Sequence, residues 1–149
     1  MDEALEVPRT HIHFTFDQDD DWPPVAGESL WATELGGGRY LIDNIPFFIP
    51  NIALNDVVIA RPRGDGCLQF VRKVSSGGHS TIRVTGSDGN RDDHVEELQA
   101  LGCGIEGSGF GSLFAVDVPP EVSLEAVLVL CSRWLAHNQA DYETACLQR

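Results

Sequence analysis

Five basic side chains lie close together in a chain that is otherwise strongly acidic. The sequence has 149 residues, with 10 Lys and Arg against 23 Asp and Glu, and a formal net charge of −13. Between residues 57 and 85 the only acidic residue is Asp65. The same segment contains half of all the basic residues of the chain: Arg61, Arg63, Arg72, Lys73 and Arg83. If the strands that carry these residues are neighbours, their side chains can converge on one anion. His79, Ser80 and Thr81 follow a Gly-Gly pair and add further donors.

These eight residues form a candidate anion-binding set, and a second interpretation of them stays open. The spacing Gly-x4-Gly-Lys-Ser/Thr of a phosphate-binding loop is absent from the sequence. The arginines are equally suited to pairing with the surplus carboxylates, or to keeping exposed strands from pairing with another chain. The composition alone does not decide between the two.

A hydroxyl beside an imidazole also suggests a nucleophile and its base. Adjacent residues of a strand point to opposite faces, so His79 and Ser80 do not meet, whereas His79 and Thr81 share a face. A triad needs an orienting acid as well, and Asp117 and Glu106 are unassigned candidates for it. The motif Gly-x-Ser-x-Gly does not occur. We therefore predict no catalytic residue and favour hydrogen bonding within the turn.

Metal and cofactor sites are not predicted. His11 and His13 share one face of a predicted strand, with Asp17 four residues further on, but two histidines without a firm third ligand more often face solvent. The four cysteines are widely spaced and form no Cys-x-x-Cys pair, which is unfavourable for structural zinc: Cys67, Cys103, Cys131 and Cys146. We interpret all four as free, structural thiols.

A dense acidic segment precedes the first tryptophan. Four of the residues 17–21 are aspartates, and they make a candidate partner-binding set with the tryptophan that follows: Asp17, Asp19, Asp20, Asp21 and Trp22. Such a patch can neutralise a basic groove on a partner and accelerate association, with the tryptophan as an anchor. The alternative is a solvated loop whose tryptophan lies in the core. The calcium-binding EF-hand pattern is absent.

Short strands must position most of these residues. Alternating apolar residues predict a strand over 10–16, a hairpin over 28–43 that turns at three glycines, and strands over 56–61, 67–74 and 79–85. Residues 44–50, an apolar segment bracketed by prolines, are predicted to cover the core. About six strands without a helix signal predict a small, mostly antiparallel β-barrel over residues 10–85, after a flexible N-terminus at 1–9.

The remainder of the chain, residues 86–149, combines helices and strands. Asn90 is predicted to cap a helix that stops at Gly102, and Ser123 to cap a longer helix whose buried stripe can continue to Tyr142. Strands are predicted at 104–106 and 112–118. The order β-α-β-β-α predicts an α+β lobe with two helices against a sheet, packed with the barrel as a single domain.

Composition restricts the classes of function. The longest apolar run covers residues 126–131, far short of the roughly 20 residues that span a membrane. The acidic N-terminus does not resemble a secretory signal. A pI near 4.5 is unfavourable for general binding of nucleic acid. We therefore expect a cytoplasmic globular protein without membrane or nucleic-acid partners.

Five segments together resemble a known bacterial family. They are residues 28–32 (ESLWA), 40–48 (YLIDNIPFF), 56–58 (DVV), 78–83 (GHSTIR) and 101–103 (LGC). The combination is similar to the domain of unknown function 4265 family, and the resemblance runs from about Thr10 to Tyr142. That family has no established activity, so the resemblance implies no catalytic residue, cofactor or partner.

The charge and the lack of a catalytic motif predict a non-catalytic acidic protein-binding module. An inhibitor or immunity protein for a basic toxin or nuclease is one such module, because single-chain immunity proteins are commonly small and acidic; this is an analogy. The alternative is a module or enzyme for a small anionic ligand, which requires the side chains of Arg61, Arg72, Arg83 and His79 to converge in one concave pocket.

Overall fold

Five strands close into a barrel in the first half of the chain. The structure is a computed structural model that describes residues 9–17, 20, 25–108 and 111–148. Each strand pairs antiparallel with the next one, and β1 pairs parallel with β5 to close the barrel. The strands are β1 (Arg9–Thr15), β2 (Gly27–Gly36), β3 (Arg39–Ile42), β4 (Val57–Pro62) and β5 (Leu68–Ser75).

The alternation of apolar and polar residues decides which side chains fill the barrel. Ile12 and Phe14 of β1 are fully buried, whereas His11, the residue before Ile12, is exposed. Equivalent positions of the other strands complete the barrel core, among them Leu30, Ala32, Ile42 and Val58. The predicted hairpin and barrel are confirmed.

The segment between β3 and β4 closes one end of the barrel. Ile49 and Ile52 belong to the barrel core, so the apolar segment covers the core as predicted. Buried backbone amides need acceptors, and the carboxylate of Glu28 on β2 supplies them. It accepts hydrogen bonds from the amides of Phe47, Phe48 and Ile49 at 2.9, 2.8 and 2.8 Å.

A four-stranded antiparallel sheet and two helices form the second half. The elements are β6 (Ser80–Thr85), α1 (Arg91–Ala100), β7 (Gly104–Gly107), β8 (Phe114–Val118), α2 (Leu124–Ala136) and β9 (Asp141–Cys146). The strand order is β7-β8-β6-β9, with all neighbours antiparallel. The order β-α-β-β-α-β with this pairing is the ferredoxin-like arrangement. Within the described residues, neither helix combines the length and the apolar content needed to cross a bilayer.

The two faces of this sheet have different neighbours. Ile82 and Val84 of β6 pack with Phe114 of β8 against the helices, whose inner faces contribute Leu98 and Trp134. Because side chains alternate along a strand, the intervening residues of β6 and β8 lie on the other face. That face holds the polar residues Thr81, Arg83 and Asp117, all buried, and it lies against the segment between β3 and β4.

The mixed α+β class is confirmed, but three details of the prediction are corrected. The barrel has five strands rather than six, because β6 pairs with β8 and β9 instead of β5. Tyr142 does not extend the second helix: the chain reverses after Ala136, where Asn138 takes a left-handed φ of 57°, and Tyr142 belongs to β9. Ser123 caps α2 through its side chain, whereas the side chain of Asn90 makes no capping bond. Residues 1–8 of the predicted flexible terminus lie outside the described residues.

Candidate functional site

The acidic segment is described only at two of its five candidate residues. Asp17 and Asp20 are exposed, and Asp20 has a left-handed φ of 53°. Asp19, Asp21 and Trp22 lie outside the described residues. The partner-binding role of this segment therefore stays a prediction.

The basic residues of the anion-binding set do not converge on one point. Arg61 and Arg72 are exposed on the barrel strands β4 and β5. They lie on the outer surface, because Arg72 is paired with the half-buried Ile59 rather than with a core residue. Arg63 is also exposed and makes an ion pair with Asp65 at 3.3 Å. The backbone amide of Cys67 and then the charge of Arg63 lower the pKa of Asp65.

Lys73 and Ser80 are engaged in a buried network between the barrel and the second sheet. Its centre is Asp56, whose side chain is inaccessible to solvent. The Nζ of Lys73 lies 3.1 Å from Oδ2 of Asp56 and donates to Oε1 of Gln148 at 2.7 Å. The Nε2 of Gln148 donates to Oδ1 of Asp56 at 2.8 Å, and its backbone amide donates to Oγ of Ser80 at 3.1 Å. We call Asp56, Lys73, His79 and Gln148 the lobe interface.

The same interface includes the backbone of the linking residues. The amide of Gly77 donates to Oδ1 of Asp56 at 3.2 Å, and the amide of Ala53 donates to Oδ2 at 2.9 Å. The carbonyl of His79 accepts from Nε2 of Gln148 at 2.9 Å. Every oxygen of the Asp56 carboxylate thus has two donors, which offsets the desolvation of the charge.

His79 forms a buried pair with Asp117. Its Nδ1 lies 2.7 Å from Oδ1 of Asp117, and its Nε2 lies 3.2 Å from Nδ2 of Asn55. With the proton on Nδ1, the imidazole donates to the carboxylate and accepts from the amide of Asn55. Burial raises the pKa of Asp117, and the hydrogen bond from His79 opposes this shift. Asp117 thus occupies the place of an orienting acid.

A nucleophile for this pair is missing among the described residues that surround it. Ser80 points away and accepts the amide of Gln148. Cys103 is close enough to Asp117 to interact with its charge, but burial and then that charge raise the pKa of its thiol to about 11. A thiol with this pKa is not ionised at neutral pH. The His79–Asp117 hydrogen bond links the residue before β6 to β8, and the absence of a catalytic role for the pair stays a prediction.

Thr81 and Arg83 lie on the buried polar face of the second sheet. Arg83 donates from Nη1 to Glu143 at 3.0 Å and from Nη2 to the carbonyl of Ile49 at 3.2 Å. Its Nε and the Oγ1 of Thr81 are buried and have no hydrogen-bond partner in the described part of the chain. Arg83 thus ties the second sheet to the segment that closes the barrel.

The two histidines of β1 face outward. The ring of His11 lies against that of Trp31 with 3.7 Å between centroids and a tilt of 36° between the planes, and Nδ1 of His13 lies 3.2 Å from Oγ of Ser29. The described residues contain no group of three or more His, Cys, Asp or Glu placed to hold a metal ion. All four cysteines are free; Cys67 is exposed and the other three are buried.

A shallow apolar groove separates the outer faces of α1 and α2. It has a volume of about 610 Å³, and its lining includes Leu101 and Val129, which are 37% and 53% exposed. The whole lining is Glu97, Ala100, Leu101, Ser123, Glu125, Ala126, Val129, Leu130 and Arg133. A second depression of about 460 Å³ lies on the other side of the ridge made by Glu125 and Val129. We call this surface the helical groove.

The negative charge is spread over both halves of the sequence. Residues 1–75 contain twelve Asp and Glu against six Lys and Arg, and residues 76–149 contain eleven against four. Helix α1 exposes four carboxylates, on Asp92, Asp93, Glu96 and Glu97. The two halves therefore contribute −6 and −7 to the net charge of −13.

Sequence analysis missed both the lobe interface and the helical groove. Helical spacing from the cap at Ser123 predicts a buried stripe that excludes Val129: Leu124, Val127 or Leu128, Cys131, and Trp134 or Leu135. An apolar residue outside this stripe was the available signal for the groove. Gln148 carries no comparable signal, because its position depends on β9, which was not predicted.

Comparison with known proteins identifies the family. Residues 28–142 match the family described as Domain of unknown function (DUF4265), so the match begins at β2 rather than at β1. A hypothetical protein from Neisseria gonorrhoeae, known from a crystal structure, is similar with a TM-score of 0.81 and 26% sequence identity, over 97% of this chain and 99% of that chain. No curated protein matches the sequence. Because the match covers most of the chain, the protein belongs to the domain of unknown function 4265 family.

Proposed function

We propose that the protein is a non-catalytic, acidic protein-binding module of the bacterial cytoplasm, of the kind that inhibits a basic toxin or nuclease. The observation that carries the proposal is the net charge of −13, to which residues 1–75 contribute −6 and residues 76–149 contribute −7. A surface of this sign attracts a cationic protein and accelerates its encounter. The free cysteines are in keeping with a reducing compartment.

Affinity capture at two salt concentrations tests this proposal. The tagged protein is incubated with lysate of its source organism at low and at moderate salt, and the retained proteins are identified by mass spectrometry. We expect one stoichiometric basic protein that is released as the salt concentration rises, because salt screens exposed charges. Retention of nothing at low salt, or of a partner that is indifferent to salt, contradicts the proposal.

Two charge-reversal variants then locate the contact. One replaces Asp19, Asp20 and Asp21 with lysine, and the other replaces Glu96 and Glu97 of α1 with lysine. The variant that removes the contact surface should slow association and flatten its salt dependence. If the association rate of the first variant is unchanged, the acidic segment near the N-terminus has no part in binding.

A small anionic ligand is the second candidate. The convergence of Arg61, Arg72, Arg83 and His79 that it required is not met, so it is reduced to a smaller site at Arg83 and Thr81, which one observation favours. The Nε of Arg83 and the Oγ1 of Thr81 are buried donors without a partner among the described residues. A bound anion stabilises the folded state by mass action, so inorganic phosphate should raise the melting temperature. The shift should persist in Arg61→Ser/Arg72→Ser, because both arginines lie on the outside of the barrel. No shift at millimolar phosphate counts against this candidate.

A further inference from the structure

The helical groove has the composition of an interface rather than of an ordinary surface. Leu101 and Val129 line the same groove with exposed side chains, and the adjoining depression adds Leu124 and Leu128. Scattered exposed apolar residues are normal, but a contiguous apolar patch marks a place where another molecule binds. The groove exists because α1 and α2 both pack on the sheet and approach each other at few positions.

Carboxylates stand at the edge of this apolar floor. Glu97 on α1 and Glu125 on α2 line the groove, and in the described part of the chain neither has an ion-pair partner. Glu121, two residues before the cap of α2, is exposed as well, whereas Glu96 lines a separate depression with Arg91. Arg133 supplies one positive charge, at the position furthest along α2. The edge is therefore mainly acidic, and it complements a ligand that carries cationic groups beside an apolar stripe.

The same charges argue against a second copy of this chain as the occupant. Contact between two helical grooves would bring their glutamates together in a protein with a net charge of −13. Helix α2 has 13 residues and is about 20 Å long. A partner segment that lies along it needs about the same length, which corresponds to three or four helical turns.

We propose that the helical groove binds a cationic amphipathic helix of the partner protein, with the apolar stripe of that helix against Leu101 and Val129 and its Lys or Arg residues against Glu97 and Glu125. This inference rests on the proposed function and specifies its surface and the chemistry of its partner. It corresponds to the helix-in-groove mode of recognition, in which residues spaced three and four apart serve as anchors.

A designed peptide tests the groove without knowledge of the natural partner. The probe is a fluorescent peptide of about 14 residues, made of Leu and Lys with a helical apolar period. A scrambled peptide of the same composition lacks that period. Binding is measured by fluorescence anisotropy to the wild type, to Val129→Glu in the groove, and to Val71→Glu on the barrel, where the valine is 41% exposed.

The two substitutions separate apolar docking from simple charge attraction. Each adds one carboxylate, so binding by charge alone is strengthened in both variants. Binding in the groove is weakened about tenfold or more by Val129→Glu and is not weakened by Val71→Glu. The scrambled peptide should bind more weakly than the amphipathic one. Equal binding of the two peptides, or tighter binding to Val129→Glu, overturns the inference.

The captured partner distinguishes failure of the groove from failure of the function. If the partner from the affinity capture binds Val129→Glu as well as it binds the wild type, the inference that the groove is the binding surface is wrong, and the proposed protein-binding function is not contradicted. If nothing is captured and the amphipathic peptide is not preferred, both proposals fail.

Discussion

The lobe interface buries polar groups that are paired with one another, whereas the helical groove exposes apolar groups to solvent. At the interface, the buried carboxylate of Asp56 has four donors within hydrogen-bond or ion-pair distance. In the groove, apolar side chains are exposed and two glutamates lack ion-pair partners among the described residues. The polar groups of the first region are paired within the protein, whereas the side chains of the second region are accessible to another molecule.

Several residues that look reactive in the sequence, including Lys73, His79 and Arg83, join the barrel and its closing segment to the second sheet. Val129, which looks like ordinary surface in the sequence, lies in the groove that we propose as the docking surface. Substitutions in the two regions should therefore differ in their effects on stability and on binding.

The largest effect is expected for Asp56→Ala. The substitution removes the acceptor of the Gly77 and Ala53 amides and of the Gln148 side chain, while Lys73, whose side chain is 29% exposed, keeps contact with solvent. Each buried donor left without an acceptor costs about 1–3 kcal/mol, so we expect a total loss of about 3–4 kcal/mol. Urea unfolding followed by tryptophan fluorescence measures the loss. Asp65→Ala, which removes a carboxylate from an exposed pair, is the matched control and should leave the unfolding midpoint almost unchanged. Equal losses of unfolding free energy in the two variants would show that the buried network does not stabilise the fold more than an exposed pair does.

The next effect is expected for Gly77→Ala, in the segment that links the lobes. A Cβ at this position would clash with the carbonyl oxygen and the Cβ of Asn55, so the backbone has to move away from Asn55. We expect a loss of about 2–3 kcal/mol, as for other overpacked sites. Gly104→Ala is the control, because its nearest neighbour, Cβ of Asp117, is at 3.6 Å. A neutral Gly77→Ala would mean that the two lobes tolerate a shift at their junction.

Local patterns in the sequence predict most elements of the fold but not how they assemble. Alternation identifies β6 as a strand, yet it contains no information about whether β5 or β8 is its neighbour. Tyr142 is at a spacing that fits a continued helix, and only the left-handed Asn138 shows that the chain reverses before it. The cap of α2 is readable because Ser123 bonds to a residue three positions away.

The site was harder to predict because its contacts connect distant positions. Gln148 and Asp56 are 92 residues apart in the chain, and His79 and Asp117 are 38 apart. No periodic pattern encodes such pairs, since they depend on how the barrel meets the second sheet. The basic residues of the candidate anion-binding set are close together in the sequence, but the closed barrel turns Arg61 and Arg72 outward, while Arg83 is buried. Residues that are near each other in the sequence therefore do not converge in the structure.

A smaller effect, visible in its pH dependence, is expected for Asp117→Asn. Burial raises the pKa of Asp117 above its ordinary value of 3.8 in the folded protein. The folded state therefore binds this proton more tightly than the unfolded state does. As a result, the wild type gains stability as the pH falls through the raised pKa toward 3.8, and it loses this stability as the pH rises through the raised pKa. The asparagine still accepts from Nδ1 of His79 but does not titrate.

The measurement is the difference in unfolding free energy between wild type and Asp117→Asn across this pH window. Taking the difference removes the contribution of the other carboxylates, which titrate in both proteins. The difference should shift in favour of the wild type as the pH falls. A difference that is independent of pH would indicate that Asp117 is solvated when folded, and a shift in the opposite direction would indicate that the charge of His79 dominates the pair.

The smallest effect on stability is expected in the helical groove, and its size decides how the binding test is interpreted. Val129 is 53% exposed and its neighbour Leu130 is 8% exposed, although both line the groove. Val129→Glu should change the unfolding free energy by less than about 0.5 kcal/mol, as is usual for surface sites, whereas Leu130→Ala should cost about 2–4 kcal/mol. Thermal and urea unfolding of both variants measure this. If Val129→Glu is as destabilising as Leu130→Ala, the valine belongs to the core and weakened peptide binding would only report unfolding. If it is neutral, the valine contributes nothing measurable to the fold, and weaker binding by that variant is attributable to the groove.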